Sequence, residues 1–192
     1  MEKLISELEL KIKYRGIKPF TIKFKEGINL IVGENGIGKS SIISLLYEYS
    51  INKKEFKEII SIKKEGYNYV SLKFFDTEKM NPRVIDSQSS KNYNFNIMSK
   101  FKSHGESILP LIRACKDFNN TIIVIDEPES GISLSNQKKI AEIFRKNSEE
   151  NNNQFIIVTH SYPLIKSVEE VFCMDGKKGW VKSERYLERV LK

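Results

Sequence analysis

Apolar and charged residues alternate along the amino-terminal part of the chain with the period of a β-strand. The alternation runs through residues 8–14 and again through residues 21–25, and Gly16 and Pro19 mark a turn between the two stretches. Because successive side chains of a strand point to opposite faces, both stretches are predicted to be half-buried strands. Residues 28–32 then form an apolar run of the kind that a strand covered on both faces shows.

The next part of the chain has the spacing of a helix, because the apolar residues between positions 42 and 49 recur every three or four residues. This spacing predicts a helix that ends near Ser50, before a polar stretch. Further strands are predicted at residues 67–75, 83–86, 121–125 and 154–158. Between the last two strands the pattern predicts another helix, for which either Ser133 or Ser135 is the N-cap.

The last part of the chain is predicted to form a hairpin and a short amphipathic helix. The hairpin pairs residues 171–174 with residues 180–181, and the helix runs through residues 186–191. Alternating strands and helices predict an α/β fold with a mostly parallel sheet, in which ligands bind at the carboxyl ends of the strands. Since no internal repeat or linker interrupts the pattern, residues 1–192 are expected to form a single domain.

Composition excludes several classes of protein. The chain has 192 residues, of which 40% are hydrophobic and 30% charged, and it has no apolar run long enough to span a bilayer and no signal peptide at its start. We therefore expect a cytoplasmic protein that is not an integral membrane protein. Cys115 and Cys173 each stand alone in apolar surroundings, which indicates buried small residues and argues against disulfides or a CxxC metal site. The net charge of +7 is compatible with a polyanionic partner, although lysine is abundant throughout the chain.

The first motif with chemical meaning is GENGIGKSS at residues 33–41, between the apolar run and the first helix. It matches the phosphate-binding pattern GxxxxGK[ST], in which glycines let backbone N–H groups converge on phosphate oxygens. Lys39 would place a cation beside the β- and γ-phosphates, and the Ser40 hydroxyl would ligate Mg²⁺. The motif predicts that the chain binds ATP or GTP. The predicted nucleotide-binding residues here are Gly33, Glu34, Asn35, Gly36, Gly38, Lys39, Ser40 and Ser41.

The second motif is IIVIDEP at residues 122–128, an apolar strand that ends in two carboxylates. Hydrolysis of a magnesium nucleotide requires one group to hold the metal and another to orient or deprotonate the attacking water. We expect Asp126 to hold the metal and Glu127 to orient or deprotonate the attacking water.

The third motif is SHGES at residues 103–107, which precedes an apolar run. Ser103 is a predicted helix N-cap, and a helix start offers free N–H groups and a positive dipole to an anion. Since the first helix already binds the phosphates of this chain, the target would be the nucleotide of another subunit.

The order of these motifs, followed by IIVTH at residues 156–160, resembles the ATP-binding-cassette (ABC) superfamily of P-loop ATPases. The chain looks most similar to small stand-alone bacterial ATPases related to the SMC and RecF branch. The resemblance implies a P-loop NTPase fold with a mostly parallel central sheet, an antiparallel amino-terminal β subdomain and a reduced helical arm.

The resemblance also implies roles for particular residues. Ser103, Gly105 and Glu106 would form the signature that contacts the γ-phosphate of the opposite subunit. Residues 130–133 would form the D-loop, and His160 would be the switch histidine near the γ-phosphate and the water. Gln88 is the candidate Q-loop residue that reaches Mg²⁺.

Three residues depart from the family pattern. His104 replaces a signature glycine, Glu106 replaces a common glutamine, and Ser133 stands where many D-loops carry aspartate. These changes affect the contact between subunits and the coupling of the two sites.

The resulting hypothesis is a MgATP-binding ATPase that forms an ATP-dependent homodimer and acts as a switch. One version places it in DNA-associated or defence processes with a DNA or protein effector partner, and its support includes six basic residues of the first strands: Lys11, Lys13, Arg15, Lys18, Lys23 and Lys25. The alternatives are the energy-coupling subunit of a membrane transporter and a nucleotide sensor that does not hydrolyse ATP.

Overall fold

The computed structural model describes residues 5–51, 53–65, 71–76 and 115–192. Several predictions fall outside these ranges, namely the strand at residues 83–86, the reduced helical arm, and the roles of Gln88, Ser103, Gly105 and Glu106.

Nine strands and five helices occur within the described residues. The strands are β1 (Ile5–Leu10), β2 (Phe20–Lys23), β3 (Ile28–Val32), β4 (Ile60–Lys64), β5 (Ser71–Asp76), β6 (Thr121–Asp126), β7 (Gln154–Val158), β8 (Glu170–Cys173) and β9 (Gly179–Lys182). The helices are α1 (Lys39–Ile51), α2 (Lys53–Phe56), α3 (Leu134–Asn151), α4 (Tyr162–Lys166) and α5 (Ser183–Val190), and a 3-10 turn lies at Cys115–Asp117.

The strands form two sheets. The larger has six strands in the order β5-β6-β7-β3-β8-β9, and its neighbours are parallel except for the antiparallel pair β8 and β9. The smaller sheet has the order β2-β1-β4 and is antiparallel. The predicted P-loop NTPase fold, with a mostly parallel sheet and an antiparallel amino-terminal subdomain, is confirmed.

Apolar residues pack on both faces of the larger sheet. Alternate residues of the central strands belong to two different core clusters, so that Leu30 and Val32 face one cluster and Ile31 faces the other. Helix α3 contributes Phe144 to the first cluster, whereas α1 contributes Leu45 to the second. The central strands are therefore apolar because they are covered on both faces. The polar residues that follow their carboxyl ends form the candidate site.

The amino-terminal strand begins and ends earlier than predicted. Strand β1 ends at Leu10, and the Ile12 side chain is 50% exposed. The cause is a tight turn in which Tyr14 and Ile17 exchange backbone hydrogen bonds of 3.0 and 2.8 Å while Arg15 and Gly16 adopt positive φ angles. The prediction of a strand to residue 14 was therefore wrong, because the alternation of apolar residues continues beyond the point where the chain turns away.

Other differences are smaller. Strand β4 and the short helices α2 and α4 were not predicted. Ser133 occupies the N-cap position of α3 but makes no capping hydrogen bond with its side chain, and its hydroxyl lies 3.1 Å from that of Ser135. Both cysteines are buried, as expected.

A buried amide joins the two sheets. The Gln154 side chain accepts a hydrogen bond from the Ile5 amide at 2.8 Å and donates to the carbonyls of Ile5 and Lys25 at 2.9 and 3.0 Å. Since Gln154 is 1% exposed, these bonds form away from water. They fix the smaller sheet at the start of β7.

Candidate functional site

The phosphate-binding motif forms the connection between β3 and α1. Val32 ends the strand, Lys39 begins the helix, and Gly36 and Gly38 have φ angles of 77° and 102°. A Cβ atom on Gly38 would lie 2.5 Å from the Cδ1 atom of Ile17, which belongs to the turn before β2. Glycine is required at this position by the backbone conformation and by the close approach of Ile17.

Lys39 lies inside this loop and is 4% exposed. Its Nζ atom donates to the carbonyl of Gly33 at 3.0 Å and to that of Glu34 at 2.8 Å. Burial lowers the pKa of Lys39, and the facing carboxylates of Glu127, Asp175, Asp126 and Glu129 act in the opposite direction. The loop therefore holds an ammonium group in a site surrounded by negative charge.

Asp126 and Glu127 lie at the carboxyl end of β6. Asp126 is the last residue of the strand, and Glu127 has a φ of 46°, which is uncommon for a residue other than glycine. Two backbone hydrogen bonds hold this conformation, from the Glu127 amide to the Val158 carbonyl at 2.9 Å and from the Ser130 amide to the Glu127 carbonyl at 3.0 Å. Because the backbone changes direction at Glu127, its carboxylate does not continue the strand geometry of Asp126.

His160 follows β7, the strand beside β6. Its Nε2 atom lies 3.8 Å from Oε1 of Glu127, and the two side chains are 36% and 39% exposed. Burial and the positive charge of Lys39 lower the pKa of His160, while Glu127 and Asp175 oppose the shift. The structure thus brings together Lys39, Glu127 and His160, which are far apart in the sequence.

The other predicted nucleotide-binding residues of the phosphate-binding motif lie between β3 and the first turn of α1. Glu34, Asn35, Gly36 and Ser40 are exposed, and Gly38 and Ser41 are half-buried. Exposed backbone and hydroxyl groups at a helix start suit a phosphate, which must reach them from solvent. Gly33 is buried at the base of the loop.

Two carboxylates of the site were not predicted from the sequence. Glu129 accepts hydrogen bonds from the Thr159 hydroxyl and the His160 amide at 2.8 and 2.5 Å. Asp175 accepts from the Glu34 amide at 2.8 Å and from Arg189 at 3.0 Å. The EPES sequence placed Glu129 near the motif, but nothing in the sequence linked Asp175 to a loop 141 residues earlier.

The oxygen atoms present fit a magnesium ion. Mg²⁺ prefers hard oxygen ligands and keeps several waters, so that a hydroxyl and a carboxylate are enough protein ligands. Ser40 lies in the first turn of α1, and the Asp126 carboxylate at the end of β6 is near enough to Lys39 to raise the pKa of that ammonium. Within the described ranges, no cluster of three or more histidine, cysteine, aspartate or glutamate side chains could hold a metal ion.

The chain is similar to several known proteins. The family described as "AAA domain, putative AbiEii toxin, Type IV TA system" matches residues 98–166, which include Asp126, Glu127 and His160. The zinc import ATP-binding protein ZnuC of Ehrlichia ruminantium is 24% identical over 197 residues, and the alignment covers 88% of this chain and 80% of ZnuC.

Solved structures share the fold at low sequence identity. The SMC head bound to the C-winged helix domain of ScpA has a TM-score of 0.63 at 14% identity and covers 95% of this chain and 99% of its own. MJ1267 in its ADP conformation, an ATP-binding cassette of an ABC transporter, has a TM-score of 0.58 at 16% identity and covers 100% of this chain and 95% of its own. The matched family model, ZnuC and these two structures support the predicted resemblance to ABC-type P-loop ATPases, whose fold the chain has.

The solved structures that share the fold include both an SMC head and a transporter cassette. The likeness to both therefore leaves the choice between the two branches open. Among the helices that the structure describes, none combines the length and the apolar character needed to cross a membrane.

Proposed function

We propose that this chain binds MgATP, hydrolyses it, and acts as an ATP-driven dimerisation switch for a partner effector. The observation that carries the proposal is the arrangement at the carboxyl ends of β6 and β7. There the Glu127 carboxylate lies 3.8 Å from Nε2 of His160 and faces the ammonium of Lys39.

Each residue has a role that its position permits. The ammonium of Lys39 and the backbone N–H groups of residues 33–41 bind the phosphates, and Ser40 and Asp126 would hold Mg²⁺. When bound, Mg²⁺ supplies positive charge to the phosphate oxygens. Glu127 orients the attacking water and accepts its proton, and His160 lies beside this carboxylate at the edge of the γ-phosphate site.

A dimer is part of the proposal because the predicted contacts to the γ-phosphate come from two chains. Residues 130–133, the D-loop segment, follow Glu127 on one side of the site. This segment faces solvent, since Ser130 and Ser133 are exposed. The adjoining Leu134 side chain is 58% exposed. An exposed loop beside the site supports contact with a second subunit.

The partner effector would be either DNA or a protein. The match to a family described as a toxin of toxin–antitoxin systems supports a defence process, and all six basic residues named for the first strands are exposed. Lys25 is the least available of the six because it pairs with Glu170 and lies over the Trp180 ring. The similarity to ZnuC favours the second candidate, an energy-coupling subunit of a transporter.

The substitution Glu127→Gln tests hydrolysis and dimerisation together. Glutamine keeps the shape of the side chain but cannot accept a proton from water, so binding should survive and phosphate release should fall by about 100-fold or more. The variant should then accumulate as an ATP-dependent dimer in light scattering, whereas the wild type returns to a monomer after hydrolysis.

The outcomes separate the alternatives. A monomer under all conditions would refute the dimer, and an ATP-dependent dimer of the wild type without phosphate release would identify a sensor. The same measurement with added duplex DNA addresses the partner, because a complex held by phosphate contacts should weaken steeply with salt. If the protein does not bind DNA at about 50 mM salt, the result would favour a protein partner.

A further inference from the structure

Glu129 connects the loop after β6 to the loop after β7. Its Oε2 atom accepts from the Thr159 hydroxyl at 2.8 Å, and its Oε1 atom accepts from the His160 backbone amide at 2.5 Å. Glu129 is half-buried and Thr159 is fully buried. A carboxylate has two acceptor oxygens and no donor, so it matches a hydroxyl and an amide that must both donate.

A second set of hydrogen bonds connects the same two loops. Thr159 also accepts from the Ser161 amide at 2.9 Å, and the Ser161 hydroxyl donates to the Gln137 side chain at 2.8 Å. Gln137 in turn donates to the Ile132 carbonyl at 3.0 Å, and the Ile132 amide donates to the Glu129 carbonyl at 3.0 Å. The bonds form a closed ring, which fixes the D-loop segment and the His160 loop to each other at two points.

The ring determines where His160 lies. The position of its imidazole depends on its backbone, and Glu129 binds the backbone amide of that residue. The imidazole in turn lies 3.8 Å from the Glu127 carboxylate. A movement of Glu129 would therefore change the spacing of the two groups to which hydrolysis is assigned.

We propose that Glu129 is a positioning residue, which holds His160 against Glu127 and transmits movement of the D-loop segment to this pair. The inference rests on the proposed function, because it assigns a role within the same hydrolytic site. Closure of a dimer over residues 130–133 would displace the turn that carries Glu129, and the ring would carry the displacement to His160. The contact of one subunit with the other would thus regulate the geometry of hydrolysis.

The experiment compares Glu129→Ala with Glu129→Gln and with Glu149→Ala. Alanine leaves both donors without an acceptor, whereas glutamine keeps the size of the side chain and one acceptor oxygen. Glu149→Ala is the matched control, since it removes an exposed carboxylate that pairs with Arg145 on the same helix. Thermal unfolding of each variant shows whether the protein is folded under the assay conditions.

Glu129→Ala should lower kcat by about tenfold or more, because small misplacements of catalytic groups are costly, and should leave the KM for ATP within about twofold. Glu129→Gln should restore part of kcat, and Glu149→Ala should leave it unchanged. In a His160→Ala background, Glu129→Ala should have no further effect. Effects that multiply in the double variant, or a change confined to KM, would overturn the proposal.

Nuclear magnetic resonance provides a readout that does not require turnover. The chain has 2 histidines, so loss of a signal in His160→Ala identifies the His160 imidazole. That signal should move in Glu129→Ala and stay in place in Glu149→Ala, and an unmoved signal would overturn the inference whether or not the protein hydrolyses ATP. Failure of the wild type to release phosphate would instead refute hydrolysis in the proposed function. The role of Glu129 in positioning His160 would then be decided by the His160 resonance.

Discussion

Replacement of Lys39 by alanine should weaken the binding of MgATP. The ammonium has three hydrogens, and two of them are donated to the carbonyls of Gly33 and Glu34. Within the described residues these two carbonyls are its acceptors, and the third hydrogen would bond a phosphate oxygen inside the loop. A hydrogen bond to a charged group contributes roughly 1.5–3 kcal/mol, which corresponds to a loss of affinity of about 10- to 150-fold.

The carboxylates around Lys39 make this magnitude a lower bound. Four of them face the ammonium, which offsets their charge. Without Lys39 they would repel the negative triphosphate, and the repulsion would be larger at low ionic strength. The loss of affinity should therefore increase as the salt concentration falls.

Isothermal titration calorimetry with MgATP measures the effect directly. Lys146→Ala is a suitable control, because Lys146 is exposed on α3 and its removal changes the net charge by the same amount. If Lys39→Ala binds MgATP within about twofold of the wild type while folded, the assignment of the loop as a phosphate site is incorrect.

Two further substitutions test the framework of the site. Gly38→Ala should destabilise the protein by about 1–3 kcal/mol in urea unfolding, because alanine is strained at this positive φ and its Cβ would approach Ile17 closely, and Ile17→Val should restore only the part of the loss that comes from the clash; unchanged stability of Gly38→Ala would show that glycine is not required there. Gln154→Leu should cost about 2 kcal/mol or more, because it removes the side-chain partner of the buried Ile5 amide and carbonyl and of the part-buried Lys25 carbonyl, and an unfolding midpoint equal to that of the wild type would contradict the role of this amide in joining the sheets.

The sequence predicted the parts of the fold that depend on local pattern. Strands β3, β6 and β7 are buried on both faces, so their apolar runs indicated both their positions and their ends. Strand β1 was predicted too long because alternation does not reveal the turn at Arg15 and Gly16. The short helix α4 was missed, although Ser161 before it and Pro163 within it are typical signals of a helix start.

The sequence indicated those candidate site residues that lie in contiguous motifs. Lys39, Asp126 and Glu127 lie in short patterns whose chemistry fixes the residue types. Glu129 and Asp175 were missed because their partners are distant in sequence, and their contacts exist only when β7 and β8 lie beside the other strands. No spacing within the chain records such contacts.

The position of β3 at the centre of the larger sheet has a consequence for biosynthesis. Its neighbours are β7 and β8, and the contact between Asn29 and Phe155 joins residues 126 positions apart. At about 5–20 residues per second, a ribosome needs on the order of ten seconds to make the intervening chain. During that time the strand that leads into the phosphate loop lacks both of its sheet neighbours, so the nucleotide site can be completed only after residues 154–173 have been made.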